Sequence, residues 1–346
     1  MSSPSPFRLS VLDQSPLIEG GTGPQSLANT LDLAQLADRL GYTRYWLAEH
    51  HATGSLACTS PEVLLGPIGM VTKRIRLGTG GIMLPHYSPF KVAEVFSTLA
   101  GLFPGRVDLG IGRAPGTDQI TVVALQRDRR QHMPDDFIEQ MSELLAYFED
   151  RIPSDHPFHR LSHSLPGGVE KPVVWLLGSS SQSGEWAAQL GLPYAFADFI
   201  GGGGSVIAQE YKNTFQPSQR LDKPRVVVAV RVICAETEEE ALRLSASQQV
   251  QLIQLQQGRP KPSLPPDEAI KLLEQSGIRL GVAPMGRRLV VGSPQAVRQT
   301  LEKVAAEFGA QEIMVLTTTY DHDARRKSYE LLADAFGLSA MAVAAD

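Results

Sequence analysis

The sequence predicts an α/β fold, a closed (β/α)8 barrel of TIM type with insertions at the C-terminal rim of its strands. Three observations carry that prediction. Short apolar runs alternate with longer amphipathic stretches along nearly the whole chain. Eight such runs follow one another, each with a helical partner, which suits a closed parallel barrel better than an open sheet. The 346 residues also fit one elaborated barrel, a fold that spans about 200 to over 400 residues. Hydrophobic residues make up 42% and charged residues 20%, which supplies a large core and excludes wholesale disorder. The expected organisation is a single domain over 1–346, with 258–294 an insertion or lid within it.

The first strand reads over 7–12, and a helix follows over 27–40 with apolar residues at Leu27, Leu31 and Ala34 until Gly41 stops it. The second strand, 44–48, runs into Glu49-His50-His51. Ser60 and Pro61 are placed to cap and start the next helix. The third strand begins at 75 and passes through Gly80-Gly81 to Pro85, and a helix over 90–102 ends before Pro104-Gly105. The fourth strand, 106–112, ends in Arg113, and the fifth, 173–177, runs into Gly178-Ser179-Ser180-Ser181 and a helix over 184–190. The sixth is 194–199, then the glycines of 201–204, whose place between strand and helix favours a rim loop over a domain boundary. The β-branched run 225–234 gives the seventh strand. The eighth is 313–318, with a closing helix over 329–336. Two stretches resist the pattern, 151–171 and 258–294, and long insertions of this kind are often lids or binding loops.

A net charge of −5 leaves no basic surplus for a nucleic-acid backbone. No run of about 18 apolar residues offers a membrane span, and residues 1–6 lack an apolar export segment, so a soluble cytoplasmic setting is the expectation. Cys58 and Cys234 have no metal-binding spacing and read as buried free thiols.

In a barrel, residues just beyond the strand ends converge on one rim, where catalytic groups collect. The segment Ser179 to Ser183 joins a strand to a helix, so free N–H groups and serine hydroxyls there suit either an anion or a plain helix cap. Arg113, from the neighbouring strand end, adds a guanidinium that grips a phosphate in two places, or else pairs with Asp118 or Asp108. His50 and His51 follow a strand, so at most one of them is expected to face the barrel mouth. Glu49 beside them can fix an imidazole. No third ligand with zinc spacing appears, so no metal site is expected. Gly80-Gly81 marks either a strand irregularity or a place where a flat ligand approaches the main chain. Gly110-Ile111-Gly112 lacks the third glycine of a dinucleotide fingerprint. Met83, Tyr87 and Phe199 read as general packing.

Taken together, Tyr45-Trp46-Leu47-Ala48-Glu49-His50-His51, the glycine run 77–85, the block 103–113 and the block 179–193 resemble the bacterial luciferase superfamily of flavin-dependent monooxygenases, within its luciferase-like oxidoreductase branch. The four blocks are collinear and cover most of the chain. The resemblance implies that Arg113 with Ser179, Ser180, Ser181, Gln182 and Ser183 holds a flavin phosphate. It puts a non-prolyl cis peptide at Gly80-Gly81 under the isoalloxazine, and a catalytic histidine, His50, near the reactive flavin face with Glu49 orienting it. Gly112 stands where luciferases proper have a reactive cysteine, and Gly178 where the family has an acidic residue, so light emission is not expected. The implied activity uses reduced FMN from a separate flavin reductase, and O2, to oxygenate a small organic substrate, with the insertion as lid. An F420-dependent dehydrogenase and a non-catalytic flavin-binding protein are the alternatives on the same barrel. Relatives of this type pair as homodimers.

Overall fold

The structure is a computed structural model that describes residues 7–114, 117–125, 135–282 and 288–338. Its elements run in the order β1 (Arg8–Asp13), α1 (Gly23–Leu40), β2 (Arg44–Leu47), α2 (Pro61–Val71), β3 (Arg76–Thr79), β4 (Ile82–Met83), α3 (Pro89–Leu102) and β5 (Val107–Gly112). There follow α4 (Gln119–Leu125), α5 (Phe137–Glu149), α6 (His159–Ser162), β6 (Val173–Gly178), α7 (Ser181–Gln189), β7 (Tyr194–Ala197), α8 (Gly204–Thr214) and β8 (Val226–Cys234). The chain ends with α9 (Glu238–Gln256), α10 (Pro266–Gln275), β9 (Leu289–Gly292), α11 (Pro294–Phe308), β10 (Glu312–Leu316) and α12 (His322–Phe336).

All strand pairs are parallel, and the sheet closes on itself: β1 pairs with β2 on one side and with β10 on the other, while β10 also pairs with β8. The expected (β/α)8 barrel is therefore present, with β4 and β9 as extra short strands. Both short strands mend gaps in the wall. β3 ends at Thr79, and β4 takes up the pairing with the upper part of β5 after the peptide bond between Gly80 and Gly81, which is cis. β8 outruns β7, whose pairing stops at Ala197 opposite Ala229. Arg231 then pairs Leu316 of β10 on one side and Leu289 of β9 on the other, so β9 covers the edge that β7 leaves open.

Local chemistry sets the boundaries. Thr22 caps α1 by accepting from Gln25 N, Pro24 sits in its first turn, and Gly41 at φ 88° ends it. Ser60 holds the N-cap position of α2, but its side chain makes no capping bond, and Pro61 starts the helix instead. Gly110 is required because a Cβ there would stand 2.0 Å from the Thr79 carbonyl oxygen, where β3 and β5 approach.

The two resisting stretches differ. Residues 151–171 connect a helix to a strand, so they lie at the N-terminal end of the barrel, where Gly167 N donates to Ser97 of α3. They are not part of the catalytic rim, which corrects the expectation of a binding loop there. The 258–294 stretch does leave from the rim but is mostly ordered: α10 packs on α9 through Val250, Ala269 and Leu273, and β9 joins the sheet. Residues 283–287 of it lie outside the described residues.

A greasy layer between strands and helices forms the main core, while Leu12, Trp46, Trp175, Ala195, Val227 and Met314 fill the barrel interior. Below them, Arg44 of β2 bridges Asp108 of β5 at 2.9 Å and Glu312 of β10 at 2.9 Å. Trp46 Nε1 and Arg76 also donate to Asp108. Burial opposes the charge of Asp108, but Arg44 and Arg76 outweigh it and hold the carboxyl below its usual range. Replacing Arg44 with Met leaves Glu312 only the Ser10 hydroxyl and a looser Arg8 contact at 3.9 Å, and leaves Asp108 with Arg76 and Trp46. The expected loss is about 3–5 kcal/mol, read by urea unfolding; a loss under about 1 kcal/mol would show that the network contributes little.

Candidate active site

At the C-terminal rim the chain leaves β2 at Leu47, so Ala48 to His51 no longer alternate as a strand. Both His50 and His51 then line one cavity of about 520 Å³, against the expectation that only one would face the mouth. The cavity wall also takes Gln14 after β1, Thr117 and Asp118 after β5, Phe199 after β7, Arg231 of β8 and the Gln248–Leu255 face of α9.

Glu49 is fully buried, and its partner is His51, whose Nε2 lies 2.6 Å from Oε1. The expected pairing of Glu49 with His50 is thus corrected. Glu49 also accepts from Met83 N at 2.9 Å and from the Tyr87 hydroxyl at 2.9 Å. One carboxylate ties the end of β2 to the segment just after the Gly80-Gly81 bond. Met83 and Tyr87, read as packing from the sequence, are its hydrogen-bond donors.

His50 is held by its backbone, whose N–H donates to Cys58 O at 3.0 Å. Its Nδ1 is buried and has no partner among the described residues. Burial, followed by the neighbouring charge of Arg231, lowers its pKa to about 4 against the opposing pull of the Ala48 carbonyl. The imidazole is therefore neutral at neutral pH, with a ring nitrogen available to a ligand.

Gly81 leaves no room for a Cβ, which would meet Gly110 O at 2.8 Å and Leu177 at 2.9 Å. The main chain there is pressed against the ends of β5 and β6. Next to it, Ser180 caps α7 by accepting from Ser183 N, and Ser183 Oγ returns a bond to the cap. Ser183 Oγ also shares a hydrogen bond with Tyr194 at 2.9 Å, so this serine is committed to structure, while Ser180, Ser181 and Gln182 are exposed. The first N–H groups of α7 have no intrahelical partners. Arg113 lies over the Trp186 ring of the same helix at 5.4 Å, half-exposed, with Asp135 at 3.8 Å. Asp108 is taken by Arg44 and Arg76, so the expected alternatives for Arg113, Asp108 and Asp118, are not its partners. Arg113 and the Ser179–Ser183 segment thus share one stretch of rim and do not line the 520 Å³ cavity. Half-exposed cation, exposed hydroxyls and free N–H groups together fit a phosphate, and the orphaned His50 nitrogen fits a ligand on the cavity side.

Among the described residues no group of three or more metal ligands occurs. Cys58 and Cys234 are buried and free. No described helix is long and apolar enough to cross a membrane. Sequence reasoning missed Arg231 and Gln248, and took Phe199 for packing. The signal for Arg231 was present: one charge inside the β-branched run of β8.

Strand ends that gather a histidine pair, a serine-capped helix start beside Arg113 and a cavity on one rim make this a barrel enzyme, since barrel catalysis sits on that face. The chain belongs to the luciferase-like monooxygenase family, whose profile matches residues 7–312, and it is a monooxygenase-type oxidoreductase. It is 34% identical to N-acetyl-S-alkylcysteine monooxygenase of Bacillus subtilis over 95% of this chain and 98% of that one. The solved structure of apo-MsnO8 superposes with a TM-score of 0.86 at 40% identity, covering 96% and 98% of the two chains. The oxygenating constituent of 3,6-diketocamphane monooxygenase of Pseudomonas putida, solved with FMN, shares the fold at a TM-score of 0.70 and 18% identity, over 95% and 97% of the chains.

Proposed function

We propose that the chain takes reduced FMN from a separate flavin reductase and uses it with O2 to oxygenate a small organic substrate. One oxygen atom enters the substrate, and the other leaves as water with the two electrons of the flavin. When bound, reduced FMN supplies those electrons and activates O2. The observation that carries the reading is His50: neutral, with a buried and unpartnered Nδ1, at the wall of the rim cavity. In this role Nδ1 accepts a proton or holds a hydrogen bond at the reacting centre. Arg113, Ser179, Ser180, Ser181 and the N–H groups of α7 hold the phosphate, with Gln182 at its edge and Ser183 fixing the turn. Gly80-Gly81 offers the bare main chain against which a flat ring packs. Glu49 acts through its three donors, keeping His51 and the Met83 segment in place.

Gly258, Pro260 and Lys261 border the cavity, and Ser263 is tied to the loop after β1 by backbone bonds with Leu17 and Glu19. This supports the 258–294 insertion as the cover that keeps water out. The relative that oxidises N-acetyl-S-alkylcysteine makes small thioethers the first substrates to try.

Anaerobic spectral titration with reduced FMN and with reduced F420, followed by admission of O2, tests the proposal. Tight binding of reduced FMN and O2 uptake coupled to substrate oxygenation are expected. Binding of F420 alone, with hydride transfer and no O2 uptake, would overturn it in favour of a dehydrogenase. Flavin binding without turnover of any kind would leave a non-catalytic flavin carrier.

A further inference from the structure

The cavity wall holds a buried group that the oxygenation chemistry does not use. Gln248 lies on the face of α9 that borders the cavity, one turn before Gln251 and Leu252. It is 1% exposed, and neither its Oε1 nor its Nε2 has a partner among the described residues. The next residue shows a satisfied amide on the same helix: Gln249 donates from Nε2 to Arg279 O at 2.7 Å and accepts from Gly281 N at 3.0 Å. A buried amide without partners is costly, and such groups in native proteins are normally satisfied. Gln248 borders the cavity that His50 also lines, so a ligand that enters there can satisfy it.

We propose that Gln248 determines substrate specificity by selecting a neutral group that presents an N–H and a carbonyl side by side, as a lactam or a primary carboxamide does. This rests on the reading of the cavity as the substrate side of the site. A carboxamide carries its donor and its acceptor on one planar edge, so a ligand uses both together only if its own pair also shares an edge. A lactam ring holds its amide cis and meets that condition, with Nε2 donating to its carbonyl and Oε1 accepting its N–H. An open-chain secondary amide is trans, so its N–H and carbonyl point opposite ways and reach one atom of Gln248 at a time. A carboxylate offers acceptors alone and leaves Oε1 facing another oxygen. Either mismatch leaves a buried polar atom unpaired, which is how hydrogen-bonding sites reject analogues. The flavin ring carries an edge of the same kind. The segments assigned to the flavin, Gly80-Gly81, Arg113 and Ser179–Ser183, do not line this cavity, which favours the substrate as the partner of Gln248. Phe199, Leu252 and Leu255 supply apolar surface for the rest of the molecule.

Calorimetric titration of the full chain tests this with flat aromatic probes: 2-quinolinone, a lactam; 1-methyl-2-quinolinone, whose N–H is blocked; coumarin, in which a ring oxygen replaces the N–H; and acetanilide, whose amide is trans. The lactam is expected to bind about tenfold or more tighter than each of the others. Gln248→Leu replaces an unmet buried amide with an apolar side chain of similar size, so the variant is expected to fold, and thermal unfolding checks that it does. In the variant the lactam loses its advantage and falls to the affinity of the other probes, while FMN affinity stays within about twofold. Equal binding of 2-quinolinone and its N-methyl derivative, no binding of any probe at millimolar concentration, or a lactam preference that survives Gln248→Leu overturns the assignment. Displacement of the lactam by FMN, with loss of FMN affinity in the variant, also overturns it and gives the amide to the flavin ring. None of these readouts requires turnover or O2 uptake, so failure of the monooxygenase reading and failure of this one are distinguishable.

Discussion

Replacing Arg113 with Ala is expected to weaken FMN binding by about 10- to 100-fold while leaving riboflavin binding nearly unchanged. The guanidinium lies over Trp186, on the helix that Ser180 caps through Ser183 N, and in the proposed function it joins the start of that helix in holding the phosphate. Each charge-assisted hydrogen bond contributes about 1.5–3 kcal/mol. The side chain is 50% exposed, so solvent screening holds the effect to the lower part of what two such bonds would give. Its pairing with Asp135, at 3.8 Å and largely exposed, is weak and competes little. Because Arg113 carries no buried load, the variant is expected to fold normally. Fluorescence titration with FMN and with riboflavin separates phosphate recognition from ring recognition. An unchanged FMN affinity, or equal weakening toward both ligands, would remove Arg113 from the phosphate site.

How far the sequence could be read depended on whether a local rule survived its surroundings. The barrel strands were legible because each is a short β-branched or aromatic run set off by Gly or Pro, as where Gly41 closes α1. The helix α9 was not: Ser245, Ser247, Gln248 and Gln249 are all buried on it, so no clean apolar stripe marks it. β9 escaped for a different reason. Four residues are too few for a period, and they form a strand only because β8 runs past the end of β7. The break of the third strand into β3 and β4 was visible as Gly80-Gly81, though not that β4 would resume pairing on β5.

At the candidate site, the residue types were legible and the pairings were not. Ser180 and Ser183 form the capping box that a serine run before a helix suggests. Glu49 next to two histidines gave the right carboxylate with the wrong imidazole. The alternation argument failed because the chain had already left the strand at Leu47, and nothing local in Ala48-Glu49-His50-His51 reports that. Gln248 lies almost 200 residues beyond His50 and reaches the same cavity only through the barrel closure, a separation that no motif spans.

His50→Ala is expected to lower substrate oxygenation by about 10²-fold or more, with FMN affinity little changed, since general acid–base groups contribute roughly 10²–10⁴-fold. The folded imidazole, lowered to about 4, stays neutral through the pH range in which an ordinary histidine titrates. The acid limb of kcat/KM is therefore expected near pH 4, with no inflection around 6.5 from this group. The same shift fixes a stability dependence. Between about 6.5 and 4 the unfolded imidazole is protonated and the folded one is not, so the unfolded state binds more protons. Folding thus keeps the full contribution above about pH 6.5 and loses it as pH falls toward 4, by about 3 kcal/mol in all. Urea unfolding of the wild type and of His50→Ala at pH 7 and pH 4.5 isolates the term: the wild type is expected to lose more over that interval. Equal losses would mean that His50 titrates as an exposed histidine. In that case its Nδ1 is solvated, and the neutral ring nitrogen on which the oxygenation reading rests is not held in reserve by the fold.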